Sequence, residues 1–160
     1  MSTEINVRRA AAADRAVLAQ LLSDMQAHYG SPDPPGGAAE MARLLTREGE
    51  KLPFVLLAEH DGATLGFATL TPVLYGGAYQ WELFLKDLYV TGQARGLGIG
   101  RALLVAMARV AVDGHYCRID WTTDATNEGA QRLYDRLDIP RHAKVFYRLS
   151  GEDLRKFADR

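Results

Sequence analysis

A chain of 160 residues with 48% apolar and 24% charged side chains has the length of one domain and the composition of a folded globular protein, which excludes a disordered chain. A net charge of −1 excludes the strongly basic footprint of a nucleic-acid binder, so no nucleic-acid partner is expected. The opening "MSTEINVRRA" lacks the apolar stretch of a signal peptide, no uninterrupted apolar run would span a bilayer, and the lone Cys117 cannot close an intramolecular disulfide; a cytoplasmic protein with no membrane partner is the expectation.

Residues 5–10 (INVRRA) read as a short strand with Ile5 and Val7 on one face. Asp14 is positioned to cap a helix in which Val17, Leu18, Leu21, Leu22 and Met25 recur at helical spacing. Residues 30–37, rich in Pro and Gly, form a loop, and 38–49 a second, shorter helix. Strands are predicted at 54–59 and 64–73, joined through Asp61-Gly62, a strong signal for a tight hairpin. The aromatic-rich "WELFLKDLYV" (81–90) is a third long strand. A glycine loop follows, then a helix from about Gly100 to Asp113 closed by Gly114 as a left-handed cap. Residues 116–123 alternate like a strand, which places Cys117 in the core. Asn127 opens a helix with Ala130, Leu133, Tyr134 and Leu137 on one stripe, 143–149 is a final strand, and the last ten residues a polar helix. With no internal repeat, this order describes one α/β domain over residues 1–160, its sheet antiparallel at first and parallel across the glycine-loop helix.

The sharpest signal is "QARGLGIGRALL" (93–104), where three glycines in five positions lead straight into an apolar helical pattern. Glycine allows left-handed dihedrals and close approach to the backbone, while a helix start offers unpaired N–H groups and partial positive charge. Together they seat a phosphate. A Walker loop would need Lys and a hydroxyl after the last glycine, and the chain supplies Arg101 and Ala102; a dinucleotide fingerprint would need glycine at position 101. What is met is R-x-x-G-x-G, by Arg95, Gly98 and Gly100.

This hexapeptide resembles the pyrophosphate-binding signature of the GNAT superfamily of acetyl-CoA-dependent N-acetyltransferases. The resemblance continues through "DLYV" before the loop, "GRALLVAMARVAVDGHYCRIDW" after it, and "NEGAQRLYDRL". It implies a mixed, mostly antiparallel α/β sheet flanked by helices, in which two parallel strands splay apart and the cofactor's pantetheine arm fills the gap. It implies acetyl-CoA as cosubstrate, bound by Leu88, Tyr89 and Val90 of the strand, by Arg95, Gly96, Leu97, Gly98, Ile99, Gly100 and Arg101 of the loop, and by Asn127 and Tyr134. In the family an asparagine contacts the cofactor arm and a tyrosine seven residues on faces the sulfur; Asn127 and Tyr134 stand at that spacing.

Acetyl transfer to an amine passes through a tetrahedral oxyanion, which a backbone N–H of Leu88 or Tyr89 would stabilise. Tyr134, a phenol with a pKa of about 10, matches the basicity of the leaving thiolate and is the candidate acid. Asp87 and Glu82 are candidate bases on the strand lining the site, each with a solvated strand residue as the alternative. Asp24, His28, Lys86 and Asp87 are candidate substrate contacts. His60, His115 and His142 show no metal-ligand spacing, and no metal is expected.

Within the family the chain is most similar to the diamine and polyamine acetyltransferase-like group, which implies a primary-amine substrate and a homodimer. "FLKDLYV" and "YRLSGEDLRKFA" carry that likeness. It departs at Lys86-Asp87, where the group usually has two adjacent acids, and a lysine there opposes a polycation. "LDIP" (137–140) also replaces the group's Leu-Gly-Ala turn. Leu74, Tyr75, Tyr79, Trp81 and Phe84 are a candidate dimer patch. A peptide or protein amine as acceptor, and a non-catalytic acyl-CoA-binding module, remain the competing functions; an intact Tyr134 speaks against the second.

Overall fold

The computed structural model describes residues 4–160, which divide between Thr126 and Asn127 into two compact units. In the first, β1 (Asn6–Arg9), α1 (Arg15–Tyr29), α2 (Gly37–Leu45), β2 (Phe54–His60), β3 (Ala63–Tyr75), β4 (Gln80–Val90), α3 (Ile99–Asp113) and β5 (Ile119–Asp120) follow one another. The strands form a single sheet in the order β1-β2-β3-β4-β5, antiparallel except for the β4–β5 pair. The mixed α/β sheet with one parallel pair is the expected class. The second unit contains α4 (Glu128–Arg136) and α5 (Gly151–Ala158).

β2 opens with Phe54, Val55, Leu56, Leu57 and Ala58, all buried, because both faces of the sheet are covered. Val55 and Leu57 join Phe67 in one apolar cluster with Leu18, Leu22 and Ala42 of α1 and α2. Strand alternation sends Leu56 and Ala58 to the other face, the side left for α3, which contacts β2, β3 and β4. The β2–β3 hairpin turns where expected, with Asp61 (φ 49°) and Gly62 (φ 79°) both left-handed, as a twisted two-residue hairpin requires.

Two irregularities in the sheet shape its β4 edge. Thr69 pairs with Asp87 and Leu70 with Leu85, so Lys86 has no residue opposite it and forms a β-bulge. β4 and β5 pair only at Leu83–Ile119 and Phe84–Asp120, which leaves β4 from Leu85 to Val90 without a β5 partner.

Several sequence expectations need correction. Asp14 does not cap α1: its carboxylate accepts from the Ala11 N–H (2.7 Å) and from both Arg8 terminal nitrogens (2.7 and 2.8 Å), ties that hold it on the preceding turn. Gly114 is not left-handed (φ −85°); it donates to Val110 O and continues the helix. The reversal falls on His115 (φ 56°), with the Tyr116 N–H on Ala111 O and the His115 N–H on Val112 O, the pair of bonds that closes a helix end. The strand expected over 116–123 is reduced to Ile119–Asp120, since a strand extends only where a neighbour pairs with it, and Cys117 is exposed rather than in the core. The strand expected at 143–149 does not form; Val145, Tyr147 and Leu149 recur at every second position but pair with no strand among the described residues and are exposed.

Candidate functional site

The glycine loop leaves the end of β4, where the Thr91 N–H donates to Leu65 O (2.9 Å). After a short turn, Gly96 (φ 84°) and Gly98 (φ 85°) both adopt left-handed dihedrals, and α3 starts at Ile99. Gly98 occupies the cap position and brings no side chain, so the first amides of α3 keep their hydrogen-bonding capacity. A side chain at Gly96 would meet nothing within 4 Å, and Arg95 and Arg101 are exposed on either side of the turn. Open amides, the positive helix end and two arginines fit a diphosphate. Buried Ile99 and Leu103 fix the helix in place.

Of the other strand residues, Tyr89 pairs with Phe67, and its ring is buried 5.8 Å from the Phe67 ring and 6.2 Å from His28. Burial, helped by Asp24, holds its phenol above the ordinary range. The Thr91-to-Leu65 bond sets the ladder's phase: in antiparallel alternation the Tyr89 N–H points the same way, toward β3. The N–H groups of Leu88 and Val90 then point to the opposite edge, beyond the two-residue pairing with β5.

A cavity of about 610 Å³ opens between α1, α2 and the sheet. Leu22 and Met25 of α1 and Met41 and Leu45 of α2 give it apolar walls, while Thr69 of β3 and Lys86 and Asp87 of β4 supply polar groups. Successive strand residues ordinarily face opposite ways; the bulge at Lys86 lets it and Asp87 line the same space. Burial raises the Asp87 pKa above its usual value, and the opposing pull of Lys86 and of the Thr69 hydroxyl is weaker. Thr69 itself is 5% exposed, and its Oγ1 has no partner in good hydrogen-bond geometry. No motif in the sequence singles out Thr69. Only the cross-strand register, with its bulge, brings it beside Asp87.

The remaining sequence candidates lie elsewhere. Glu82 is engaged by Arg118 (Nε to Oε2, 2.5 Å), which also approaches Asp120 and lies 4.0 Å above the Tyr75 ring. Asp24 accepts from Gln20 Nε2 (2.8 Å). His28 meets the glycine loop, with Arg95 Nη2 at 3.1 Å from its Nε2; neither Asp24 nor His28 lines the cavity. In the second unit, Asn127 Oδ1 accepts from the Ala130 N–H (3.1 Å) and so caps α4, which carries Tyr134 two turns on. Among the described residues no group of three or more His, Cys, Asp and Glu side chains could hold a metal ion.

The model of the acetyltransferase (GNAT) family matches residues 18–139. A thialysine N-epsilon-acetyltransferase of Caenorhabditis elegans is 33% identical over 81 residues, 48% of this chain and 51% of that protein, so the chain spans about half the length of this relative. An uncharacterised N-acetyltransferase of Bacillus subtilis, YhfO, is 27% identical over 82% of this chain and 87% of its own. Among solved structures, an integron cassette protein from the mobile metagenome of V. cholerae superposes with a TM-score of 0.80 at 27% identity, covering 98% of each chain. A ribosomal-protein-alanine N-acetyltransferase of Brucella melitensis shares the fold (TM-score 0.78, 18% identity, 92% and 99% coverage). Glycine loop, parallel β4–β5 pair and family match agree, and the chain belongs to the GNAT family of N-acetyltransferases.

Proposed function

We propose that the enzyme transfers an acetyl group from acetyl-CoA to a primary amine of a small molecule, with residues 1–160 acting as one catalytic domain. The observation that carries this is the cavity: a largely apolar pocket, partly open to solvent, with a half-buried carboxylate, Asp87, one residue before the Leu88–Val90 edge that β5 leaves unpaired. The pocket's volume of about 610 Å³ is that of a small-molecule site. The thialysine acetyltransferase activity named for the C. elegans relative supports a small amine as acceptor.

In this reading the amides of residues 95–100 and the Arg95 guanidinium hold the pyrophosphate of acetyl-CoA, and Asn127 contacts its arm. Asp87, whose proton affinity burial has raised, takes a proton from the incoming ammonium and leaves the nitrogen lone pair free. That lone pair bonds to the thioester carbon, and the carbonyl becomes an oxyanion that the Leu88 N–H receives. As the oxyanion collapses, the C–S bond breaks, Tyr134 protonates the departing thiolate, and the new amide sheds its second proton to solvent. Free phenols and thiols are close enough in acidity for such a transfer. A homodimer accompanies this reading, supported by Leu74 and Tyr79, which are 69% and 96% exposed.

The experiment is a free-thiol release assay over a panel of primary amines. Amine-dependent thiol release is expected, and Tyr134→Phe, which removes one oxygen and keeps the ring, should lower turnover by about 10²–10⁴-fold. Bound acetyl-CoA with no amine-dependent release would overturn the proposal.

A further inference from the structure

We infer that the acceptor is a primary amine with a single cationic nitrogen on an apolar body, and that Thr69 and Asp87 together hold that nitrogen; the inference rests on the cavity being the acceptor site. Thr69 and Asp87 are directly opposite each other across the β3–β4 ladder, so their side chains share one face of the sheet, and both line the cavity. The Thr69 hydroxyl is buried, and beyond its pull on Asp87 it has no partner in good hydrogen-bond geometry, so its remaining capacity is open to a ligand. The Thr69 hydroxyl has one proton and two lone pairs: it can turn the proton toward Asp87 and offer a lone pair to an amine N–H. An amine nitrogen seated between the two satisfies both groups at once.

The other charges on the lining decide what the rest of the acceptor carries. Besides Asp87 they are Asp33, Arg47 and Lys86. Once Asp87 is matched to the amine, one acid and two bases remain, a net positive wall that repels a second ammonium. Most of the remaining surface is methionine, leucine, alanine and proline, which suits a hydrocarbon body. Methionine adapts to irregular shapes, so the walls accept aliphatic or aromatic groups alike.

Hexylamine and 1,6-diaminohexane share a carbon chain and differ in one ammonium, so their kcat/KM ratio in the thiol-release assay isolates the second charge. Hexylamine should be preferred by about tenfold or more. Lys86→Glu should narrow or invert that ratio. Equal turnover, or a preference for the diamine in the unmodified enzyme, overturns the inference. Thr69→Val keeps the volume and deletes the hydroxyl; it should raise KM for hexylamine about tenfold, the typical worth of one hydrogen bond, with acetyl-CoA affinity unchanged. Thr69→Ser should restore it. An unaltered KM in a Val variant that melts normally removes Thr69 from the site. If no amine releases thiol, the acetyl-transfer reading fails first, and calorimetry with acetyl-CoA present then decides: hexylamine binding tighter than the diamine upholds this inference, while no preference refutes it.

Discussion

Asp14→Asn tests how the first unit is stapled together. Arg8 of β1 reaches Asp14 and also Glu59 of β2 (2.6 Å), so one guanidinium joins the first strand, the turn before α1 and the second strand. The Arg8 hydrogen bonds, assisted by the Ala11 N–H, lower the Asp14 pKa from 3.8 to about 2. At about 1.4 kcal/mol per pH unit, that preference for the ionised form is worth about 2 kcal/mol of stability. The Asp14 side chain is 12% exposed but that of Arg8 is 39% exposed, so solvent screening makes about 2 kcal/mol the upper end. Because the folded pKa is the lower one, the stability is complete above about pH 5 and is lost as the pH falls through about 2. Asparagine keeps the shape and can still accept from Ala11 but removes the charge. Urea unfolding followed by circular dichroism should show the variant about 1–2 kcal/mol less stable at pH 7, with the difference falling to about half at pH 3. A difference that is absent at pH 7, or unchanged between pH 7 and pH 3, refutes the reasoning.

Arg95→Glu places an anion beside the loop amides and should weaken acetyl-CoA binding about tenfold or more in calorimetry; unchanged affinity in a folded variant removes the loop from the cofactor site. The acid limb of the kcat/KM profile should lie above the ordinary carboxylate range, because burial raises Asp87, and Asp87→Asn should abolish that limb. Since the raised pKa means that ionised Asp87 costs stability as the pH rises, the same variant should melt no lower than the parent at pH 7, and a clear drop in melting temperature would contradict this. Light scattering at tens of micromolar should give a dimer mass, with Leu74→Glu shifting it toward monomer; a monomer mass for the parent chain disposes of the dimer.

Local rules explain what was legible in the sequence. The helices at 15–29 and 99–113 announce themselves by apolar spacing, and the Asp61-Gly62 turn by two residues that tolerate left-handed dihedrals. The glycine loop was readable because its chemistry depends on consecutive backbone positions: uncapped amides and missing side chains are properties of a short stretch. Asp87 stood out as an acid beside that stretch, although its perturbation comes from burial that no single strand encodes. The alternating residues at 143–149 satisfied the local pattern of a strand, yet strands exist only as pairs, and pairing is a fact about neighbours. Asp14 fitted a helix cap until a partner from β1, Arg8, took its carboxylate.

The sequence by itself determined the periodic elements, the phosphate-seating loop and the family signature, because each is written in residues that are adjacent or a turn apart. Tertiary structure alone decided that one strand bulges at Lys86, that Thr69 lies across from Asp87, and that α1 and α2 wall a cavity over both. Those depend on the register between strands and on the packing of helices distant in the chain, where long-range pairing and burial settle what local preference leaves open.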